Sequence, residues 1–403
     1  LNQEVYRKLI SGQSAGAAAA LLRGLLRVAA IGYAAIVWVR NFLYSSGWLR
    51  AHRVDAAVIS VGNVTAGGTG KTPLVVWVCR QIISNFRSQI SDLRPQISDF
   101  KSQISDSQCA ILTRGYKAKK DQVPGTQNYA DEVAILAESC PGAKVIVNPD
   151  RVAGAAEAIG RFGAKVLILD DGFQHRRLAR DLDIVAVDAT QPFGYGKMLP
   201  AGLLREPLSS LKRAQAAVIT RCDQVAEAEL VELEKKLRAV NPQMVVARSI
   251  HEPVRVEYPP SVIPANAGIQ KDSEKMDSCL RRNDSIEQLK GMRVFAFCGI
   301  GNPEAFLGTL EALGCRLAGS EVYDDHYQYT EGSLADIYGR AGRLGADLIL
   351  TTQKDWTKIA GLAAGRKGIP LGYLCIEIKF LAGQDQLTSL IEKTLAGKIL
   401  QGG

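Results

Sequence analysis

An α/β fold with a doubly wound, mostly parallel sheet built around a P-loop is predicted by three observations. Short runs rich in Val, Ile and Leu recur at 56–64, 109–116, 143–148, 164–171, 182–188, 215–223, 292–300, 346–355 and 373–380, with helical lengths between most of them. Continuous apolar strands joined through helices form a parallel sheet covered on both faces. The first run leads into a glycine-rich turn ending in Lys-Thr, and a later one ends in Asp-Asp, so strand ends carry the chemistry as a doubly wound sheet requires.

The first run and its turn read VISVGNVTAGGTGKTP (58–73). In a P-loop, backbone N–H groups at a helix N-terminus cradle phosphates. Thr65, Ala66, Gly67, Gly68, Thr69, Gly70, Lys71 and Thr72 are the candidate phosphate-binding residues. Lys71 is placed to neutralise β- and γ-phosphate oxygens, and the Thr72 hydroxyl to ligate Mg²⁺. The general pattern G-x-x-x-x-G-K-[ST] asks for glycine where this chain has Thr65.

The acidic partner for the metal is expected at a strand end. Val166-Leu167-Ile168-Leu169-Asp170-Asp171 has that form, about a hundred residues after Lys71. Further polar candidates are Arg114 in LTRGY, Asp131 in YADEV, His175 in DDGFQHRRLARDLD and His326 in VYDDHYQYT. The chain has only four histidines, so His175 and His326 are among few groups able to move protons near neutral pH.

Length and composition bound the rest. The 403 residues suffice for two domains, and 47% apolar with 22% charged residues is a globular composition. Forty-nine basic against 41 acidic side chains leave +8, which suits nucleic acid, anionic lipid or a phosphorylated substrate. No basic stripe interleaved with aromatics favours nucleic acid. Eight scattered cysteines without a CxxC pair indicate neither a zinc site nor a disulfide framework.

The front of the chain is apolar. Residues 15–48 carry only Arg23, Arg27 and Arg40 as charges, and the longest charge-free run, Val28 to Val39, is 12 residues. That is short of the roughly 20 needed to span a bilayer as a helix. Arg23 and Arg27 share a helical face, as in a helix lying among lipid headgroups; a buried core helix is the alternative. Two inserts interrupt the α/β pattern. QISD begins at 89, 96 and 103, and the polar stretch 261–284 has no period. Neither is expected to carry chemistry.

Taken in order, VGNVTAGGTGKTP, LTRGY, DEV, NPDRVAGA, LDDGFQHRRLARDLDIVAVDA, GYGKMLPAGLLREPL, FCGIGNP, DHYQYT and TQKD resemble the tetraacyldisaccharide 4'-kinase family of lipid A biosynthesis. The resemblance covers most of 15–403 outside the inserts, and Thr65 is shared with that family. It implies a P-loop α/β/α domain, a second, smaller α/β/α domain and an N-terminal membrane-associated helix. The segments implied are 1–50 for the helix, 51–250 for the P-loop domain with an insert at about 86–108, 251–288 for a linker and 289–403 for the second domain.

The implied reaction is ATP- and Mg²⁺-dependent phosphorylation of the 4'-hydroxyl of an acylated glucosamine disaccharide 1-phosphate at the cytoplasmic face of the bacterial inner membrane. By motif, Asp131 and His326 correspond to a catalytic pair, and Asp170 and Asp171 stand in the Walker B position. Lys71 balances charge on the transferring group. Arg114, His175, Arg176 and Arg177 are candidates for the substrate phosphate. Two positions depart from the family: Gln353 stands where Glu is usual, and Ala130 where Gly is usual. A membrane-docked nucleotide switch without kinase activity is the competing expectation.

Overall fold

The computed structural model describes residues 3–92, 108–115, 131–258, 286–325, 327–363, 366 and 368–399. Residues form two compact units: unit 1 from Leu1–Lys120, Leu136–His251 and Ile378–Gly403, and unit 2 from Asp121–Ile135 and Glu252–Glu377. The QISD repeats beyond residue 92 and the stretch 261–284 lie outside the described residues.

Unit 1 opens with two helices, α1 (Gln3–Ser11) and α2 (Ala17–Ser45). Its strands are β1 (Ala57–Gly62), β2 (Cys109–Thr113), β3 (Ala143–Val147), β4 (Val166–Asp170), β5 (Leu182–Asp188), β6 (Ala216–Thr220) and the part of β7 (Val245–Glu257) up to His251. The order is β3-β2-β4-β1-β5-β6-β7, and each neighbouring pair is parallel. β1, β2, β4, β5 and β6 are buried along their whole length, which is why they read as unbroken apolar runs. From β1 the chain moves to one side of the sheet, and from β5 to the other. Their carboxyl ends therefore flank the topological switch point, where such sheets bind ligands.

Helices α3 (Lys71–Asp92), α4 (Asp131–Ser139), α5 (Arg151–Phe162) and α6 (Glu227–Val240) connect the strands. Both ends of α5 are capped as its sequence requires. The Asp150 carboxylate accepts from the Val152 N–H at 3.0 Å, and Gly163 closes the helix in the left-handed region.

Unit 2 contains β8 (Arg293–Cys298), β9 (Arg316–Val322), β10 (Leu348–Thr352) and the part of β11 (Leu371–Ala382) up to Glu377, ordered β11-β10-β8-β9 with every neighbouring pair parallel. Between them run α7 (Pro303–Ala312), α8 (Glu331–Arg343) and α9 (Gln353–Ala363). The last helix, α10 (Gln384–Ile399), returns to unit 1. Leu387, Ile391 and Leu395 pack in one cluster with Ile59, Val61, Leu74 and Val78 of β1 and α3, so the C-terminal helix completes the first core.

Candidate active site

β1 ends at Gly62, and the turn 63–70 carries the chain to Lys71, the first residue of α3. Side chains brace this turn from inside: Asn63 Nδ2 donates to Thr69 Oγ1 at 2.9 Å, Thr220 Oγ1 to the Thr69 carbonyl at 3.0 Å, and Gln174 Nε2 to the Asn63 carbonyl at 2.7 Å. Arg221 donates to the Gly68 carbonyl at 3.0 Å while its other nitrogen pairs with Asp188 at the end of β5. The loop is thus shaped before any ligand arrives, and no reorganisation is needed at the moment of reaction.

Thr65 in place of glycine has a geometric reason. It forms an antiparallel bridge with Leu204, and within the turn only Gly67 and Gly70 take positive φ. Gly70 is the position that needs glycine. Its φ is +79°, and a Cβ there would lie 2.4 Å from His251 Nε2.

Asp170 closes β4 as a buried carboxylate and accepts from Thr113 Oγ1 at 3.2 Å. Asp171 follows with φ 51°, a left-handed conformation that turns the chain out of the strand. Its carboxylate meets Lys71 Nζ at 3.7 Å and one guanidinium nitrogen of Arg205 at 2.9 and 2.8 Å. Burial pushes the Asp171 carboxyl up, but Lys71, Arg205 and Arg114 outweigh it and hold it down at about 2. The group is an anion throughout the physiological range.

A cationic wall stands beside this carboxylate. Arg151 donates to the Asp170 carbonyl at 3.2 Å and the Asn148 carbonyl at 2.6 Å; burial, first of all, draws it down to about 10. His175 is half-buried, and its Nε2 has no hydrogen-bond partner among the described residues. Burial, then Arg151, Arg114 and Arg177, push it down to about 4, so the imidazole is neutral at pH 7. A neutral imidazole thus sits among arginines, whose positive charge attracts anions.

The other sequence candidates fall elsewhere. Arg176 donates to the Asn41 carbonyl at 2.9 Å and lies over the Tyr44 ring at 5.1 Å, so its guanidinium grips the end of α2. Arg177 pairs with Asp150 at 3.2 Å. Asp131 is the first residue of α4. His326 lies outside the described residues; next to it Asp325 pairs with Lys354 at 3.0 Å, and Tyr327 stacks on Tyr323 at 4.4 Å.

Sequence reasoning missed Arg205, Arg151 and the Asp188–Arg221 pair. Arg205 and Arg151 stood inside quoted motifs, LLREPL and NPDRVAGA, but nothing in their spacing showed that they converge on one strand end.

Mg²⁺ takes oxygen ligands. Among the described residues, no group of three His, Cys, Asp or Glu forms a closed metal cage. Asp170 and Asp171 at the end of β4 and Thr72 at the start of α3 are hard oxygen donors of the kind that a Mg²⁺ site would draw on.

The model of the tetraacyldisaccharide-1-P 4'-kinase family matches residues 22–90 and 100–396. Curated tetraacyldisaccharide 4'-kinases are similar along most of their length. That of Syntrophus aciditrophicus is 36% identical over 88% of each chain, and that of Anaeromyxobacter sp. strain K is 32% identical over 94% of this chain and 93% of the relative. The crystal structure of Aquifex aeolicus LpxK in complex with ATP superposes with a TM-score of 0.63 at 26% identity, covering 93% of this chain and 99% of that one.

Proposed function

The chain belongs to the tetraacyldisaccharide 4'-kinase family, ATP-dependent kinases of lipid A biosynthesis, and we propose how its residues divide that work. The observation that carries the assignment is the convergence of Lys71 and Arg205 on Asp171 at the mouth of the glycine turn. The turn 65–72 binds the phosphates of ATP through its backbone, and Lys71 balances charge on the phosphoryl group in transfer. Asp170, Asp171 and Thr72 would hold Mg²⁺. When bound, that ion neutralises phosphate charge and fixes the phosphate geometry.

The acceptor is the 4'-hydroxyl of the acylated disaccharide 1-phosphate. A sugar hydroxyl is a poor nucleophile at neutral pH. Asp131 accepts its proton as the oxygen bonds to the γ-phosphorus and the bond to the β-phosphate oxygen breaks, releasing ADP; His326 supports Asp131. Arg114, with the neutral His175 and Arg151 beside it, receives the anionic part of the acceptor.

The apolar helix α2 supports a reading in which the enzyme works at a membrane surface. The helix is 29 residues long with a mean hydropathy of 1.7 over its most apolar window, of which 11% is buried. Leu21, Leu25, Val28, Ile31, Ile36 and Phe42 face outward, whereas Tyr33, Arg40 and Asn41 bond to the 205–210 segment. One apolar face and one face tied to protein support a helix that rests in the headgroup layer of the cytoplasmic leaflet, near a substrate whose acyl chains stay in the bilayer. A nucleotide switch lacks support, since the matched relatives are named as kinases over most of the chain.

Purified chain with ATP, Mg²⁺ and the disaccharide 1-phosphate in mixed micelles converts the acceptor to its bisphosphate. Asp131→Ala and His326→Ala lower kcat at least about 100-fold while ATP still binds. Wild-type rates in these variants would remove the pair from the mechanism.

A further inference from the structure

We propose that Tyr33 and Arg40 of α2 are positioning residues of the nucleotide site, acting through the segment 203–206, so that α2 belongs to the catalytic frame as well as to the membrane surface. The inference rests on the reading of Asp171 and the glycine turn given above.

The segment is held on two edges. On one, it pairs with the leading arm of the turn: the Ala66 N–H donates to the Leu203 carbonyl at 2.7 Å, the Arg205 N–H to the Val64 carbonyl at 2.8 Å, and Thr65 bridges Leu204. On the other, it is gripped by α2. The Tyr33 hydroxyl donates to the Arg205 carbonyl at 2.9 Å. Glu206 is fully buried, and its carboxylate accepts from Arg40 at 2.6 Å, Arg213 at 2.8 Å and Asn41 at 3.3 Å.

Arg205 lies between these grips, with its guanidinium on both oxygens of Asp171. Three layers therefore run from lipid-facing helix to phosphate loop, α2, then 203–206, then 64–66. A buried carboxylate stripped of one cation is strongly unfavourable, so loss of Arg40 moves Glu206 and with it the residue next door. Arg205 then shares Asp171 less tightly, and Lys71, 3.7 Å from the same carboxylate, is drawn toward Asp171 and away from phosphate. Arg40 is one of only three charges in the apolar stretch 15–48, and this contact gives it a role beyond meeting headgroups.

The test uses the full chain in mixed micelles. It measures kcat, KM for ATP, equilibrium binding of a fluorescent ATP analogue, vesicle flotation and thermal unfolding. Arg40→Ala is expected to lower kcat about tenfold and raise KM for ATP about fivefold, with flotation unchanged; Arg40→Lys recovers at least half of the loss. Tyr33→Phe, which deletes one hydroxyl and tests the same link should Arg40→Ala fold poorly, is expected to lower kcat/KM for ATP about threefold. Nucleotide parameters at wild-type values in Tyr33→Phe and in folded Arg40→Ala, with only flotation or the acceptor KM altered, would show α2 to be an anchor alone and overturn the inference. Asp171→Asn serves as the reference. If it too keeps wild-type kcat, the reading of the site fails, and the inference falls with it; if it is crippled while the α2 variants are normal, only the inference falls.

Discussion

Two glycine-bearing turns, one in each unit, take a parallel strand into a helix, and they are put to different uses. In unit 1, β1 passes through 63–70 into α3, whose first residue, Lys71, reaches toward Asp171. In unit 2, β8 passes through Gly299, Ile300, Gly301 and Asn302 into α7. There the chain supplies its own anion. The fully buried Asp355 accepts from the Gly299 N–H at 2.9 Å and Thr352 Oγ1 at 2.8 Å, and pairs with Lys358 at 3.0 Å. Asn302 caps α7 by accepting from the Ala305 N–H at 3.2 Å.

The local motif is therefore a poor guide by itself. What separates a ligand site from a structural turn is whether the negative charge at the helix entrance comes from the chain or is left to a phosphate. The first turn spends its internal bonds on shape and leaves its lysine at the opening; the second is closed by a carboxylate.

Substitutions at matching places should separate the two turns. Lys71→Ala should lower kcat/KM about 1,000-fold or more with a small change in thermal unfolding, because the lost interaction belongs to the transition state. Asp355→Ala should do the reverse, costing about 3 kcal/mol of stability by leaving Lys358 buried without its carboxylate, with nucleotide affinity of the folded fraction retained. Calorimetry beside nucleotide titration checks both, and a Lys71→Ala enzyme as damaged in stability as in activity would erase the contrast.

Gly70→Ala probes the first turn more gently. Positive φ and the imidazole of His251 both oppose a methyl group, and ATP affinity should fall about tenfold. The smallest effect concerns pH. Asp171 is depressed to about 2, so its contribution to stability is complete above the unfolded value of about 3.9 and fades as pH falls through 2. Acid titration of unfolding in wild type and Asp171→Asn should differ in slope between about pH 4 and 2 and run parallel above that.

Much of this was legible in the chain. Nine apolar runs marked strands of the sheets, and the strand–glycine–Lys-Thr–helix succession marked the turn from β1 into α3 because each part is local. Thr65 looked like a defect only against a pattern; in the fold it is an extended residue paired with Leu204, where glycine brings no advantage. Arg205 and Glu206 were not legible as functional residues, since their roles arise from contacts with Asp171, 34 residues away, and Arg40, 166 residues away. The return of α10 to the first core was hidden for the same reason: Leu387 and Ile391 give an apolar face but no address.

Phosphoryl transfer from the first turn to a lipid acceptor is tested most directly by following the γ-phosphate of labelled ATP into the disaccharide 1-phosphate with wild-type chain and with Lys71→Ala. Acceptor-dependent label in the lipid is expected for wild type, with a loss of about 1,000-fold in the variant. Label that appears only as free phosphate whatever the acceptor, or a Lys71→Ala rate equal to wild type, would contradict it.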